Sequence, residues 1–130
     1  MEYLHVIKFL FIYLILKINL KQTIMALNEN SGGLITEVKA KELIAEFATQ
    51  FPGEVVSSFI GSANVNIILE QQDCIGLRVY NGYDVVEKKI SLVLVGVDHA
   101  GRDMLSSAII YDKMVTCPPT CPIEGSLSIN

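Results

Sequence analysis

The chain has 130 residues, of which 51% are hydrophobic, and it carries a formal net charge of −4. This length suits one domain with a modest hydrophobic core. An acidic chain with scattered basic residues repels phosphate backbones, so we do not expect nucleic-acid binding. The three cysteines are an odd number, so they cannot all pair within one chain.

The first 24 residues are strongly apolar and are expected to lie outside the domain, which we predict over residues 25–130. A membrane anchor is one interpretation, although Lys8 and Lys17 would each cost about 2.5–3.5 kcal/mol at the bilayer centre. An export signal is a second, although Glu2 and the lack of a small-x-small cleavage site disfavour it. The third is an over-extended start, with a cytoplasmic chain beginning at Met25. Membrane association is expected only if residues 1–24 are retained.

Two helices are predicted next. Residues 36–50 place apolar side chains on one face, with Thr36 as N-cap and Pro52-Gly53 as the stop. A shorter helix over residues 62–71, capped by Ser62, is expected to bury three side chains. The apolar face of the first helix contains Ala40, Leu43, Ile44, Phe47, Ala48 and Phe51, and that of the second contains Val65, Ile68 and Leu69.

Three strands follow the helices. Residues 74–80 alternate apolar and other side chains. Asn81-Gly82 is a hairpin-type turn signal, although Tyr83 to Lys89 makes the predicted connection longer than two residues. Residues 90–97 are apolar on both faces, which is typical of a central strand. Residues 104–111 form the third predicted strand, and a loop runs from Asp112 onward. The predicted class is therefore α+β, with two N-terminal helices packed on a three-stranded antiparallel meander.

The cysteines carry the most chemical promise. In Cys117-Pro-Pro-Thr-Cys121, the two prolines stiffen the spacing between the thiols, which would suit a disulfide, a redox pair or a metal site. Zinc usually takes four ligands, and Cys74 and His99 could complete such a set because they lie at one edge of the predicted hairpin. Unreactive thiols, with Cys74 buried as a small apolar residue, are the simpler alternative.

No catalytic group of residues can be assembled from the rest of the sequence, so an enzyme is not expected and no cofactor other than possible zinc is implied. The segment from Asp98 to Asp103 superficially resembles a calcium loop. It lacks the acidic third position and the distant glutamate of an EF-hand, so a turn between strands is expected there.

Several segments resemble a family of small bacterial α+β proteins that end in a Cys-Pro-Pro-x-Cys motif. The resemblance covers roughly residues 40–121, and the family offers no activity to carry over. It also implies a start near Met25. The segments are Cys74-Ile-Gly-Leu-Arg-Val-Tyr, Leu92-Val-Leu-Val-Gly-Val-Asp98 with Gly101 and Asp103, and the closing Cys117-Pro-Pro-Thr-Cys121.

These observations favour a small non-enzymatic module that binds a protein partner. The expected contact surface is the strand at residues 104–111 together with the cysteine- and proline-rich segment after it. Two alternatives stay open. One is a metal-binding or thiol-redox protein that uses Cys117 and Cys121, and the other is a membrane-tethered accessory protein.

Overall fold

The computed structural model describes residues 2–24 and 27–127. Helix α1 spans Glu2–Ile24, and its large apolar side chains between Tyr3 and Ile18 are exposed. Within the two described ranges, no helix is both long enough and apolar enough to cross a membrane. Met25, the predicted start of the domain, lies outside the described residues.

The remaining elements confirm the predicted α+β class. Strands β2, β3 and β4 form an antiparallel three-stranded meander in that order, and β1 pairs with β5 in a separate two-stranded sheet. In chain order the elements are α2 (Glu37–Gln50), β1 (Ser57–Phe59), α3 (Ser62–Leu69), β2 (Cys74–Asp84), β3 (Lys89–Asp98), β4 (Ile110–Tyr111) and β5 (Val115–Cys117).

The connection between β2 and β3 is shorter than the one predicted over residues 81–89. Asn81 and Gly82 are inside β2, where they pair with Leu92 and Ser91, so the predicted end of the strand at Tyr80 is wrong and the Asn-Gly pair is not the turn. The chain turns instead at residues 85–88, because the Asp84 carboxylate accepts hydrogen bonds from the N–H groups of the second and third residues after it, at 2.9 and 3.0 Å. This side-chain bond to the following backbone favours a turn at Asp84 and lowers the pKa of its carboxyl group.

The third strand of the meander is much shorter than predicted. Only Ile110 and Tyr111 pair with β3, and Asp103 forms an isolated bridge to Val97. Between them Ala108 has a φ of 55°, a left-handed conformation that interrupts an extended strand. A continuous strand over residues 104–111 is therefore wrong, whereas the contact surface expected there stays a prediction.

The two-stranded sheet includes a strand that the sequence did not predict. Strand β5 lies in the segment expected to be loop, and its Cys117 pairs with Ser57 of β1. Glu54 links this sheet to the meander, because one carboxylate oxygen accepts hydrogen bonds from Val55 N at 2.8 Å and from Ile90 N at 2.9 Å. The N–H groups of Ile90 and Val55 lower the pKa of Glu54.

The two predicted helices differ in how they pack. Helix α2 has the predicted cap, with the Lys39 N–H donating to Thr36 Oγ1 at 3.1 Å, but none of its residues is buried. Leu43 on its apolar face is 52% exposed, so the expectation that this face packs tightly on the sheet is wrong. An amphipathic pattern specifies which face is apolar without specifying what covers it.

Helix α3 provides the packing instead. Ile68 is completely buried, and a Cβ on Gly96 of β3 would lie 3.3 Å from its Cγ2 atom. Val65 is half-buried, but Leu69 is exposed, contrary to the prediction. The N-cap is Gly61 rather than Ser62, and no side-chain hydrogen bond caps this helix.

The core is centred on β3, as its apolar sequence predicts. Leu94 points to one face of the meander and Val95 and Val97 to the other, because neighbouring side chains of a strand alternate. The buried apolar residues within the described ranges are Val55, Ile68, Leu94, Val95, Val97 and Cys117.

Candidate functional site

The candidate cysteine site is a disulfide. Cys117 and Cys121 are bonded to each other, with their Cα atoms 4.8 Å apart, so the structure adopts one of the alternatives that the sequence left open. Cys117 is buried at the end of β5, and Cys121 is half-buried. Both sulfur atoms are therefore engaged with each other rather than free to bind a metal.

Cys74 and His99 are at the same end of the β2–β3 hairpin, away from the disulfide. Cys74 pairs with Asp98 at the end of β3, and the exposed His99 follows directly. The disulfide belongs to the sheet that Glu54 links to the opposite end of β3. Within residues 2–24 and 27–127, no cluster of three or more His, Cys, Asp or Glu residues could hold a metal ion. Zinc binding by the four predicted residues stays a prediction.

The loop after β3 is the turn that the sequence predicts. Asp98 Oδ1 accepts hydrogen bonds from Ala100 N at 2.9 Å and from Arg102 N at 3.0 Å, while Oδ2 binds Arg102 Nε at 3.2 Å. The Arg102 N–H, together with the Ala100 N–H and the Arg102 guanidinium, lowers the pKa of Asp98 despite an opposing effect of burial. The carboxylate shapes the loop through these bonds.

A polar cluster missed by the sequence analysis lies on one face of the meander. Arg78 and Tyr80 of β2 project from the same face because they are two residues apart. The Arg78 guanidinium binds the Asp103 carboxylate and donates to the Gly101 carbonyl at 3.2 Å. The Tyr80 hydroxyl donates to the other Asp103 oxygen at 2.5 Å. The alternation of Arg78 and Tyr80 along a strand was the available signal, but it could not identify an acceptor 23 or more residues away.

The cluster holds the loop after β3 against the sheet. Both oxygens of Asp103 are occupied, and its side chain is only 19% exposed. A general acid or base needs an atom within reach of substrate, whereas this carboxylate is held by Arg78 and Tyr80.

The outer edge of β2 presents a different kind of candidate site. On β3, the Gly96 carbonyl accepts from Met104 N at 2.9 Å and the Ile90 N–H donates to Glu54. The backbone groups of Gly96 and Ile90 therefore point away from β2. In an antiparallel pair, two directly opposite residues either both bond to each other or both point their N–H and C=O groups away from each other. The β2 residues opposite Gly96 and Ile90 therefore point these groups away from β3.

Those opposite residues are Leu77 and Tyr83, and the alternation of the ladder adds Val79 and Asn81 between them. All four direct their N–H and C=O to the outer edge of β2. Strand β2 is the terminal strand of its sheet, and within the described residues these groups have no hydrogen-bond partner. An unpaired edge of this kind is a template for another strand.

The surroundings leave this edge accessible. Val79, Tyr80 and Tyr83 are 53%, 46% and 59% exposed. Residues 75–79 in the first half of β2 line an open cleft of about 330 Å³ together with Val97 of β3 and residues 27–29 and 31. The first half of the edge therefore adjoins this cleft, and the side chains of its second half are exposed.

The chain matches no protein-family model, no curated protein and no solved structure. The resemblance to the bacterial Cys-Pro-Pro-x-Cys family thus gains no support from these comparisons. Any functional statement has to rest on the geometry of the chain itself.

Proposed function

We propose that the protein is a non-enzymatic interaction module that binds an extended polypeptide segment along the outer edge of β2. The observation that carries this proposal is the row of outward N–H and C=O groups at Leu77, Val79, Asn81 and Tyr83. This surface replaces the one expected from the sequence at residues 104–111.

The physical basis is β-augmentation, in which a segment extends a sheet and main-chain hydrogen bonds supply the affinity. Each such bond contributes about 1 kcal/mol net, so a segment that pairs along the whole row gains several kcal/mol. The exposed side chains of Val79 and Tyr83 add apolar area that the segment would cover. Specificity would come from these side chains, because the backbone groups are the same in every protein.

A proline substitution tests the proposal, with peptides selected from a random display library on the purified chain as the probe. Val79→Pro removes one outward N–H while leaving the β2–β3 ladder intact, because edge strands tolerate proline on the solvent side. We expect at least about a fivefold loss of peptide affinity, the value of one hydrogen bond. The control Val79→Thr keeps the N–H and the β-branched shape, and should bind as the parent chain does.

Amide hydrogen exchange locates the bound peptide. The N–H groups of Leu77, Val79, Asn81 and Tyr83 should become protected on binding, whereas peptide-induced protection confined to other elements would contradict the proposal. Equal affinities of the proline and threonine variants would also contradict it.

We also propose a cytoplasmic location, which is the compartment that the sequence favours. Disulfides such as Cys117–Cys121 persist in oxidising compartments, whereas cytosolic thiols are kept reduced. A cytoplasmic location therefore requires that the disulfide of the structure be reduced in the cell, and it predicts free Cys117 and Cys121 in protein alkylated at the moment of cell lysis and examined by intact-mass spectrometry. A chain that resists alkylation until it is reduced would instead come from an oxidising compartment.

A further inference from the structure

We propose that the segment that pairs with the β2 edge is the β2 edge of a second copy of this chain. The two strands would run antiparallel about a twofold axis, with Tyr80 opposite Tyr80 of the second copy. This inference rests on the proposed function and names the partner of the same edge.

The register follows from the positions of the outward groups. Leu77, Val79, Asn81 and Tyr83 are arranged symmetrically about Tyr80. Pairing about Tyr80 sets Leu77 opposite Tyr83 of the second copy and Val79 opposite Asn81 of the second copy. Because opposed outward residues exchange both hydrogen bonds, this register gives every N–H and C=O of the row a partner. A register shifted by two residues along the edge leaves some of them unpaired.

The side chains in this register are compatible with one another. Leu77 meets the ring of Tyr83, an aliphatic–aromatic pair of the kind that stabilises neighbouring strands. Arg78 lies diagonally across from Asp84 of the second copy, so opposite charges are neighbours and no like charges stand directly opposite. Tyr80 lies opposite Tyr80 of the second copy, and Val79 lies opposite Asn81 of the second copy. The exposed surfaces of Val79, Tyr80 and Tyr83 would all be covered in part.

The cleft beside β2 lies where the second strand would enter. It is lined by Leu77 and Val79, among other residues, and these are the positions that Tyr83 and Asn81 of the second copy would face. An open cleft of about 330 Å³ at this point leaves room for the end of the second strand. The rest of the edge, from Tyr80 onward, is bordered by exposed side chains.

Disulfide trapping tests the register. Tyr80 would lie in a non-hydrogen-bonded pair with its copy, where Cα atoms are about 4.5 Å apart, a separation that a disulfide spans. We expect Tyr80→Cys, in a Cys74→Ser background, to form a covalent dimer on mild oxidation. The matched control is Val79→Cys, whose copies would lie diagonally at roughly 7–8 Å and should remain largely monomeric.

Sedimentation measures the association itself. The parent chain should show concentration-dependent dimers, and Val79→Pro should weaken dimerisation about 30-fold, because the symmetric pair loses one hydrogen bond in each copy. Equal trapping of the two cysteine variants, or a dimer that leaves the outward amides of β2 unprotected, would overturn the inference. A chain that stays monomeric but binds selected peptides at those amides would overturn the second copy as partner and keep the proposed function. A monomer that binds no peptide at the edge would overturn both.

Discussion

Replacing Ile68 with alanine is expected to lower the free energy of unfolding by about 3 kcal/mol. Ile68 is completely buried and joins α3 to the β2–β3 hairpin, where it lies against Gly96 of β3. Removing its outer carbons loses both their transfer free energy and the contacts of the atoms around the resulting cavity. The free energy of unfolding of a small domain is only about 5–15 kcal/mol, so this single change removes a large share of it.

The neighbouring residue provides the control. Leu69 is in the same helix and is equally apolar, but it is 42% exposed, so Leu69→Ala should cost less than about 1 kcal/mol. Urea unfolding of both variants, followed by far-ultraviolet circular dichroism, gives the two free energies. Similar losses for the two variants would mean that α3 does not form the packed layer over the meander.

The class of the fold followed from the sequence because local patterns determine it. The apolar spacing of residues 36–50 gave α2 to within one residue, and the two long runs of β2 and β3 gave a hairpin. The centre of the core also followed, since β3 is apolar on both faces. These are short-range signals, and no distant contact is needed to interpret them.

Contacts between distant residues account for most of what the sequence did not reveal. Strands β1 and β5 have three residues each, too few for a recognisable alternation, and each is extended because it pairs with the other. The bond from Ile90 N to Glu54 and the bond from Arg78 to Asp103 cross 36 and 25 residues. No pattern within a short window of sequence specifies such partners.

The candidate site at the outer edge of β2 could be predicted from the sequence only in part. The sequence predicted a strand that begins at Cys74, but the direction of each N–H along it depends on the register with β3. The strand was predicted to end at Tyr80 because the Asn81-Gly82 pair is a strong turn signal in isolation. In the folded chain the Asp84 carboxylate determines the turn, and this keeps Asn81 and Tyr83 on the edge that we propose as the binding surface.

The second large loss of stability is expected for a substitution at Gly82, where β2 and β3 lie close together. A Cβ placed there would lie 2.4 Å from the carbonyl oxygen of Ser91, which is backbone of the paired strand and cannot rotate away. We expect Gly82→Ala to lower the free energy of unfolding by about 2 kcal/mol, as for other substitutions that overfill a packed site. The hairpin has to open locally to accept even one methyl group.

Gly76 is the matched control, since it lies on the same strand and the same face. Nothing is within 4 Å of a Cβ built on it, so Gly76→Ala should raise stability by about 0.5 kcal/mol, because alanine loses less backbone entropy than glycine on folding. The two alanine variants should therefore shift the urea midpoint in opposite directions with unchanged slopes. If Gly82→Ala is as stable as Gly76→Ala, then residues 81–84 do not continue β2. In that case the outward row of N–H and C=O groups ends at Val79.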